Sequence, residues 1–167
     1  MLMRSRGFSL LELVVLMALV SILLTIATLN FKEYLDRSRM EAQTRFLYGR
    51  LLKARVDAVC QRRTTVVKIY PQRFEVYSSQ LDNRSGVEPL QTHRLSYPIT
   101  SNGVWDATGG CSITFERDGL SNQNLSICLE PSAGSGAVDS ITVFSTRISI
   151  GKKDGGDACK TDNITAK

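Results

Sequence analysis

The sequence predicts an α+β fold: one long N-terminal α-helix, membrane-spanning in its first half, packed on a C-terminal antiparallel β domain. Three observations predict it. Residues 8–29 form an apolar run carrying a single charge, Glu12. No Gly or Pro interrupts the chain from Phe8 to Tyr48, so nothing breaks a helix there. From Thr64 the pattern changes to short β-rich runs punctuated by Pro, Gly, Asn and Asp. With 167 residues, 43% of them apolar and 22% charged, there is material for one ordinary domain plus a membrane helix, and global disorder is excluded.

The helix comes first. Phe8 to Leu29 is 22 residues, about 33 Å at 1.5 Å per residue and enough to cross a hydrocarbon core of about 30 Å. Arg4 and Arg6 precede it, and cationic flanks tend to stay cytoplasmic. The N-terminus is therefore expected inside and the remainder outside. A cleaved secretory signal shares the charged-then-apolar order, but its apolar region spans about 7–15 residues and does not open on an acid. Residues 30–63 continue the same helix, to about Val59, as an amphipathic half. Phe31, Tyr34, Leu35, Phe46, Leu47, Leu51, Leu52, Ala54 and Ala58 recur at spacings of three and four. Glu41 and Arg45 form a favourable i,i+4 pair. One face of this half is expected to pack on the β domain.

That domain is expected over residues 64–151. Thr64–Tyr70 and Arg73–Ser78 read as strands joined at Pro71-Gln72, a hairpin. Residues Asp82–Glu88 read as a loop. Further strands are expected at Thr92–Tyr97, Ser112–Glu116, Asn124–Leu129, Ser140–Ser145 and Arg147–Gly151, with turns or loops at Asp118-Gly119 and Ser132–Gly136. Residues 152–167 form a polar tail, mobile unless Cys159 pins it.

Cys60, Cys111, Cys128 and Cys159 contain no CxxC pair, and His93 is the one histidine that could join them, so a zinc site is not indicated. A domain outside the cytoplasm favours disulfides. Four cysteines allow three complete pairings. Cys111–Cys128 is expected because both lie in strand-like segments able to neighbour one another, and Cys60–Cys159 would then tie the tail to the helix end. The alternative is that some remain buried thiols.

The net charge of +5 is unevenly spread. Residues 30–63 carry nine Lys/Arg against four Asp/Glu, whereas residues 64–167 carry ten against eleven. The basic set includes Arg37, Arg39, Arg45, Arg50, Lys53, Arg55, Arg62 and Arg63. It reads first as a solvated helix face near the membrane. His93 reads as a surface or half-buried strand histidine, and Trp105 and Phe115 as core aromatics. No G-x-S-x-G, H-E-x-x-H or P-loop pattern occurs. Neither an enzyme, a cofactor nor a metal is indicated.

Glu12 carries the sharpest functional signal. A carboxylate in hydrocarbon costs about 2.5–3.5 kcal/mol on insertion scales, so a counter-charge must meet it. The run Gly7-Phe8-Ser9-Leu10-Leu11-Glu12-Leu13 resembles the type IV prepilin N-terminus, a small residue, an aromatic and a Glu at fixed distances before a spanning helix. The resemblance covers about 25 residues. It implies a leader at residues 1–7, cut between Gly7 and Phe8 by a prepilin peptidase, N-methylation of Phe8, and a role for Glu12 in assembly opposite the amine of an adjacent subunit. It also implies the pilin-like fold and a single-pass protein of the bacterial inner membrane. The N-terminus would be cytoplasmic, the C-terminal domain periplasmic, and the mature chain part of a filament. Leu29 stands where many major pilins carry Pro, so no kink is expected there.

Ile113-Thr114-Phe115-Glu116-Arg117-Asp118-Gly119 and the ending Arg147-Ile148-Ser149-Ile150-Gly151-Lys152-Lys153 are similar to the GspH/FimT group of minor pilins and pseudopilins. This similarity implies a structural subunit of a type II secretion pseudopilus or a type IV pilus, with other pilin subunits, prepilin peptidase and inner-membrane lipid as partners. The alternative it implies is a DNA-binding minor pilin serving natural transformation. Lys152, Lys153 and Lys160 would be the contacts, although Asp154, Asp157 and Asp162 offset them.

Overall fold

An uninterrupted run of helix-compatible residues becomes one helix, α1, over Leu10–Gln61. The computed structural model describes residues 9–81, 85–130, 138–154 and 158–167, and within the helix the side chains of residues 27–30 are outside that set. The chain divides into two units, residues 1–37 and 38–167. In the first, the large apolar side chains from Leu10 to Ile26 are all exposed, and the helix is long and apolar enough to cross a membrane by length and composition. Ser21 donates its hydroxyl to the Met17 carbonyl at 2.8 Å and Thr25 to that of Ser21 at 2.9 Å. Both polar groups are thereby satisfied within the helix, as an apolar solvent requires. Phe31 and Tyr34, expected on the packed face, are exposed instead.

In the second unit the rest of α1 presents a stripe of Met40, Thr44, Leu47, Leu51, Ala54 and Ala58, all buried. Successive spacings of four and three keep these six on one side of a 3.6-residue helix. Thr44 fits the stripe because its hydroxyl donates to the Met40 carbonyl at 2.9 Å. Gln43 beside it acts as a latch. Its Nε2 donates to the Tyr97 carbonyl at 2.8 Å, and its Oε1 accepts the backbone N–H groups of Ser96 and Tyr97 at 2.9 and 3.0 Å. The helix stops where Arg62 takes φ 48°. The Arg62 N–H then reaches the Val59 carbonyl and the Arg63 N–H that of Ala58, both at 3.2 Å. This is a Schellman closure, built here on arginine instead of the usual glycine.

Among the described residues nine strands follow: β1 (Thr65–Tyr70), β2 (Arg73–Tyr77), β3 (Gln91–Arg94), β4 (Ile99–Ser101), β5 (Cys111–Phe115), β6 (Leu125–Leu129), β7 (Ser140–Val143), β8 (Ile148–Lys153) and β9 (Ile164–Ala166). They form two antiparallel sheets, ordered β3-β2-β1-β5 and β4-β6-β7-β8-β9. Alternation along β5 points Ile113 and Phe115 inward, and Val67, Ile69 and Phe74 join them on the same face. Ile127, Ile141, Val143 and Ile148 come from the second sheet, and the helix stripe completes one core cluster. The hairpin at Pro71-Gln72 forms as expected, with Tyr70 opposite Arg73.

Two strands were not expected. β4 is three residues long, and β9 lies within the supposed tail. β9 pairs with β8, placing Gly151 opposite Ala166, and β8 itself runs on through Lys152 and Lys153. The loop expected at Ser132–Gly136 lies outside the described residues.

Candidate assembly site

Glu12 sits in the first turn of α1, where aligned peptide dipoles favour a negative charge. Ser9 precedes the helix, its carbonyl accepting the Leu13 N–H at 3.2 Å. Ser9-Leu10-Leu11-Glu12 also has capping-box spacing. Leu10, Leu11 and Leu13 through Met17 surround the carboxylate with exposed apolar surface. Among the described residues no ion pair involves Glu12. Gly7 and Phe8 lie outside the described residues.

The cysteines do not pair as expected. Cys128 is bonded to Cys159, while Cys60 is a free exposed thiol and Cys111 a free buried one. The sheet order explains the difference. Cys111 is on β5, at the edge of the first sheet, and Cys128 is on β6 in the second, so the two strands are not neighbours. Ser101 approaches the Cys111 sulfur at 3.9 Å, and burial pushes this thiol above its ordinary pKa, which keeps it unreactive. The Cys128–Cys159 bond makes the C-terminal segment a strap. Thr161 and Ser126 hydroxyls meet at 2.9 Å beside it, and the Lys167 N–H donates to the Ile150 carbonyl at 3.1 Å.

The three tail lysines are not gathered on one open face. Lys153 is buried, with its ammonium 2.8 Å from Glu130 and its backbone N–H 2.7 Å from Asp139. Lys152 is half-buried and Lys160 exposed. On the helix, Arg37 pairs with Glu33, Arg45 pairs with Glu41 at 2.7 Å, and Arg50 lies 5.0 Å from the Phe46 ring centre. His93 packs between Phe46 and Phe74, with ring centres 5.4 and 4.9 Å away. Burial, helped by the Arg50 charge, lowers its pKa. Phe115 is in the core, but Trp105 keeps 37% of its surface exposed, with its indole N–H on the Ser101 carbonyl.

One cluster was not anticipated. On the outer face of the first sheet Lys68 is wholly buried, 2.6 Å from Asp106. Burial alone would raise the Asp106 pKa. The Lys68 ammonium, the Thr108 hydroxyl and the backbone N–H groups of Thr108 and Gly110 overcome that and hold the carboxyl well below the usual range. Glu75, opposite Lys68, accepts from Tyr77 at 2.7 Å and from Arg73 at 2.9 Å. The signal was present as a lysine inside the otherwise apolar strand Thr65–Tyr70. Its partner, 38 positions along the chain, was not.

Comparison with known proteins agrees with the N-terminal features. Residues 2–28 match the family model described as the prokaryotic N-terminal methylation motif. No curated protein matches the chain. The fold is similar to that of the Pseudomonas aeruginosa type IV minor pilin FimU, at 16% identity and a TM-score of 0.54, over 69% of this chain and 90% of that one. A second crystal form of FimU aligns at 15% identity and a TM-score of 0.49, over 66% and 90%. The chain thus carries the prokaryotic N-terminal methylation motif and has a fold, an apolar helix joined to antiparallel sheets, similar to that of a type IV minor pilin.

Proposed function

We propose that the chain is the precursor of a minor pilin or pseudopilin, a non-catalytic structural subunit of a type IV pilus or a type II secretion pseudopilus. The observation that carries this reading is Glu12, the one charge on an exposed apolar helix surface within the matched motif. Prepilin peptidase removes residues 1–7 on the cytoplasmic side of the inner membrane, freeing the Phe8 amine for methylation. Residues 8–29 then hold the chain in the bilayer and residues 38–167 stand in the periplasm. On assembly, Glu12 meets the Phe8 amine of an adjacent subunit, because a charge in hydrocarbon is tolerated when an opposite one lies at short range.

The test is the mass of the mature protein from cells with an active processing protease. A species starting at methylated Phe8 is expected, and one retaining Met1 removes the basis of the reading. DNA binding through Lys152, Lys153 and Lys160 receives less support, because Lys153 is committed to Glu130. A gel shift of the full chain in detergent at two salt concentrations tests that alternative, since phosphate contacts weaken steeply with salt.

A further inference from the structure

The turn between β1 and β2 opens into a groove of about 570 Å³ whose lining includes Tyr70, Gln72, Arg73, Arg94 and Thr108 together with the apolar Pro71 and Leu95. Arg73 and Arg94 are register partners across β2 and β3. Like charges directly opposite in an antiparallel pair repel and destabilise it. Glu75 offsets the Arg73 charge by its ion pair at 2.9 Å, but no acid does so for Arg94 among the described residues. Asp106 is engaged with Lys68, and Glu75 takes the Arg73 Nε and the Tyr77 hydroxyl. Among the described residues Arg94 has no ion pair, and its side chain is on an exposed position of an edge strand.

We propose that this groove binds carboxylate groups, presented by an acidic segment of a partner protein. Arg73 is already oriented for the task. Its Nε is fixed on Glu75 at 2.9 Å and its guanidinium lies 4.2 Å from the Tyr70 ring centre. A held guanidinium loses less freedom on pairing and presents its fork to a planar oxyanion. Arg94 supplies the second fork from the facing strand. Gln72 adds a neutral polar side chain to the lining, while the Thr108 hydroxyl is donated to Asp106. Single-stranded nucleic acid suits the site less well: the Tyr70 face on which a base would stack is taken by Arg73, and two cations neutralise few phosphates. The proposal does not depend on the filament assignment, since it concerns a sheet edge remote in sequence from the methylation motif.

Isothermal titration on the full chain in neutral detergent at low salt tests it, with three probes: a terminally blocked tetra-glutamate peptide, inorganic phosphate and a twelve-residue oligothymidylate. Tetra-glutamate is expected to bind saturably and more tightly than the other two. Arg94→Ala is expected to weaken it by about tenfold, the scale of one lost charge-assisted bond, and Arg94→Lys by less. Lys160→Ala serves as a control that leaves it unchanged. Circular dichroism establishes that each variant is folded. Absence of saturable tetra-glutamate binding, equal affinity in Arg94→Ala, or tighter binding of phosphate or oligothymidylate would each overturn the assignment.

Discussion

Lys68 is fully buried because Asp106 reaches it across the outer face of the first sheet. Breaking such a pair from one side leaves a charge with no solvent and no partner. Asp106→Asn is expected to destabilise the domain by about 3 kcal/mol, whereas Lys68→Met, which leaves Asp106 its Thr108 and Gly110 bonds, is expected to cost less. Urea denaturation followed by Trp105 fluorescence measures both. Two groups give the fold opposite-looking but same-signed pH dependence. The depressed Asp106 carboxyl contributes stability that is present above the unfolded value near 3.9 and lost as pH falls through its folded value. Burial between two phenylalanines, helped by the Arg50 charge, lowers the His93 pKa, so the unfolded chain takes up its proton first as pH falls below about 6.5, and stability declines there too. His93→Gln is expected to flatten the decline between pH 6.5 and the folded pKa, leaving the more acidic limb to Asp106. Melting temperatures across that range read the difference. That His93 lies in a strand was legible, but the sequence left open whether it is at the surface or half-buried, and its packing between Phe46 and Phe74 was not foreseen. The Lys68 pair was not, because local pattern carries no information about a loop that folds over a sheet.

At the scale of elements, legibility followed how much of each element's reason was local. The β1–β2 hairpin is written in neighbouring residues and forms as expected, whereas the α1 face was legible only in part: Leu47, Leu51, Ala54 and Ala58 are buried as expected, but Phe31, Tyr34 and Phe46 are exposed and Met40 and Thr44 join the stripe. β9 is three residues with one large apolar side chain, Ile164, and it exists because the β8 edge and the Cys159 bond hold it. The same absence of local signal made the cysteine pairing illegible, since it depends on which sheet each strand joins. Closing a loop with a sequence separation of 31 contributes about 3.7 kcal/mol in the chain-entropy picture. Cys159→Ser is therefore expected to lower stability by about that amount and to release amide protection at Asp154 and Lys167 while β6 and β7 stay protected. Hydrogen exchange resolves the two regions. Global loss of protection would show that the strap supports the whole domain. The helix end offers a contrary case. Arg62 holds a left-handed backbone that disfavours a side chain, so Arg62→Gly is expected to stabilise by up to about 1 kcal/mol, as a rise in denaturation midpoint.

For the whole molecule, the demand is that one chain satisfy two solvents. Residues 38–167 bury an apolar core between helix and sheets, while the helix from Leu10 to Ile26 leaves its apolar surface outward. Such a surface is stable in lipid or against similar helices, and Glu12 is the one group in it that discriminates between those environments. In lipid alone it is costly; in the assembly proposed above an adjacent amine matches it, and that pairing would be met at one axial offset. Glu12→Ala is expected to improve residence in the bilayer by removing about 2.5–3.5 kcal/mol of insertion cost, and to leave processing at Gly7-Phe8 largely intact. Its loss is expected in assembly, where no carboxylate remains to fix the register of the incoming subunit. Comparing the variant's abundance in membrane and sheared-filament fractions, with the mature mass checked in each, separates these effects. A processed variant that accumulates in membranes and is depleted from filaments fits the pairing. Normal incorporation of a processed Glu12→Ala chain would mean that helix packing alone sets register and that the buried acid has another role.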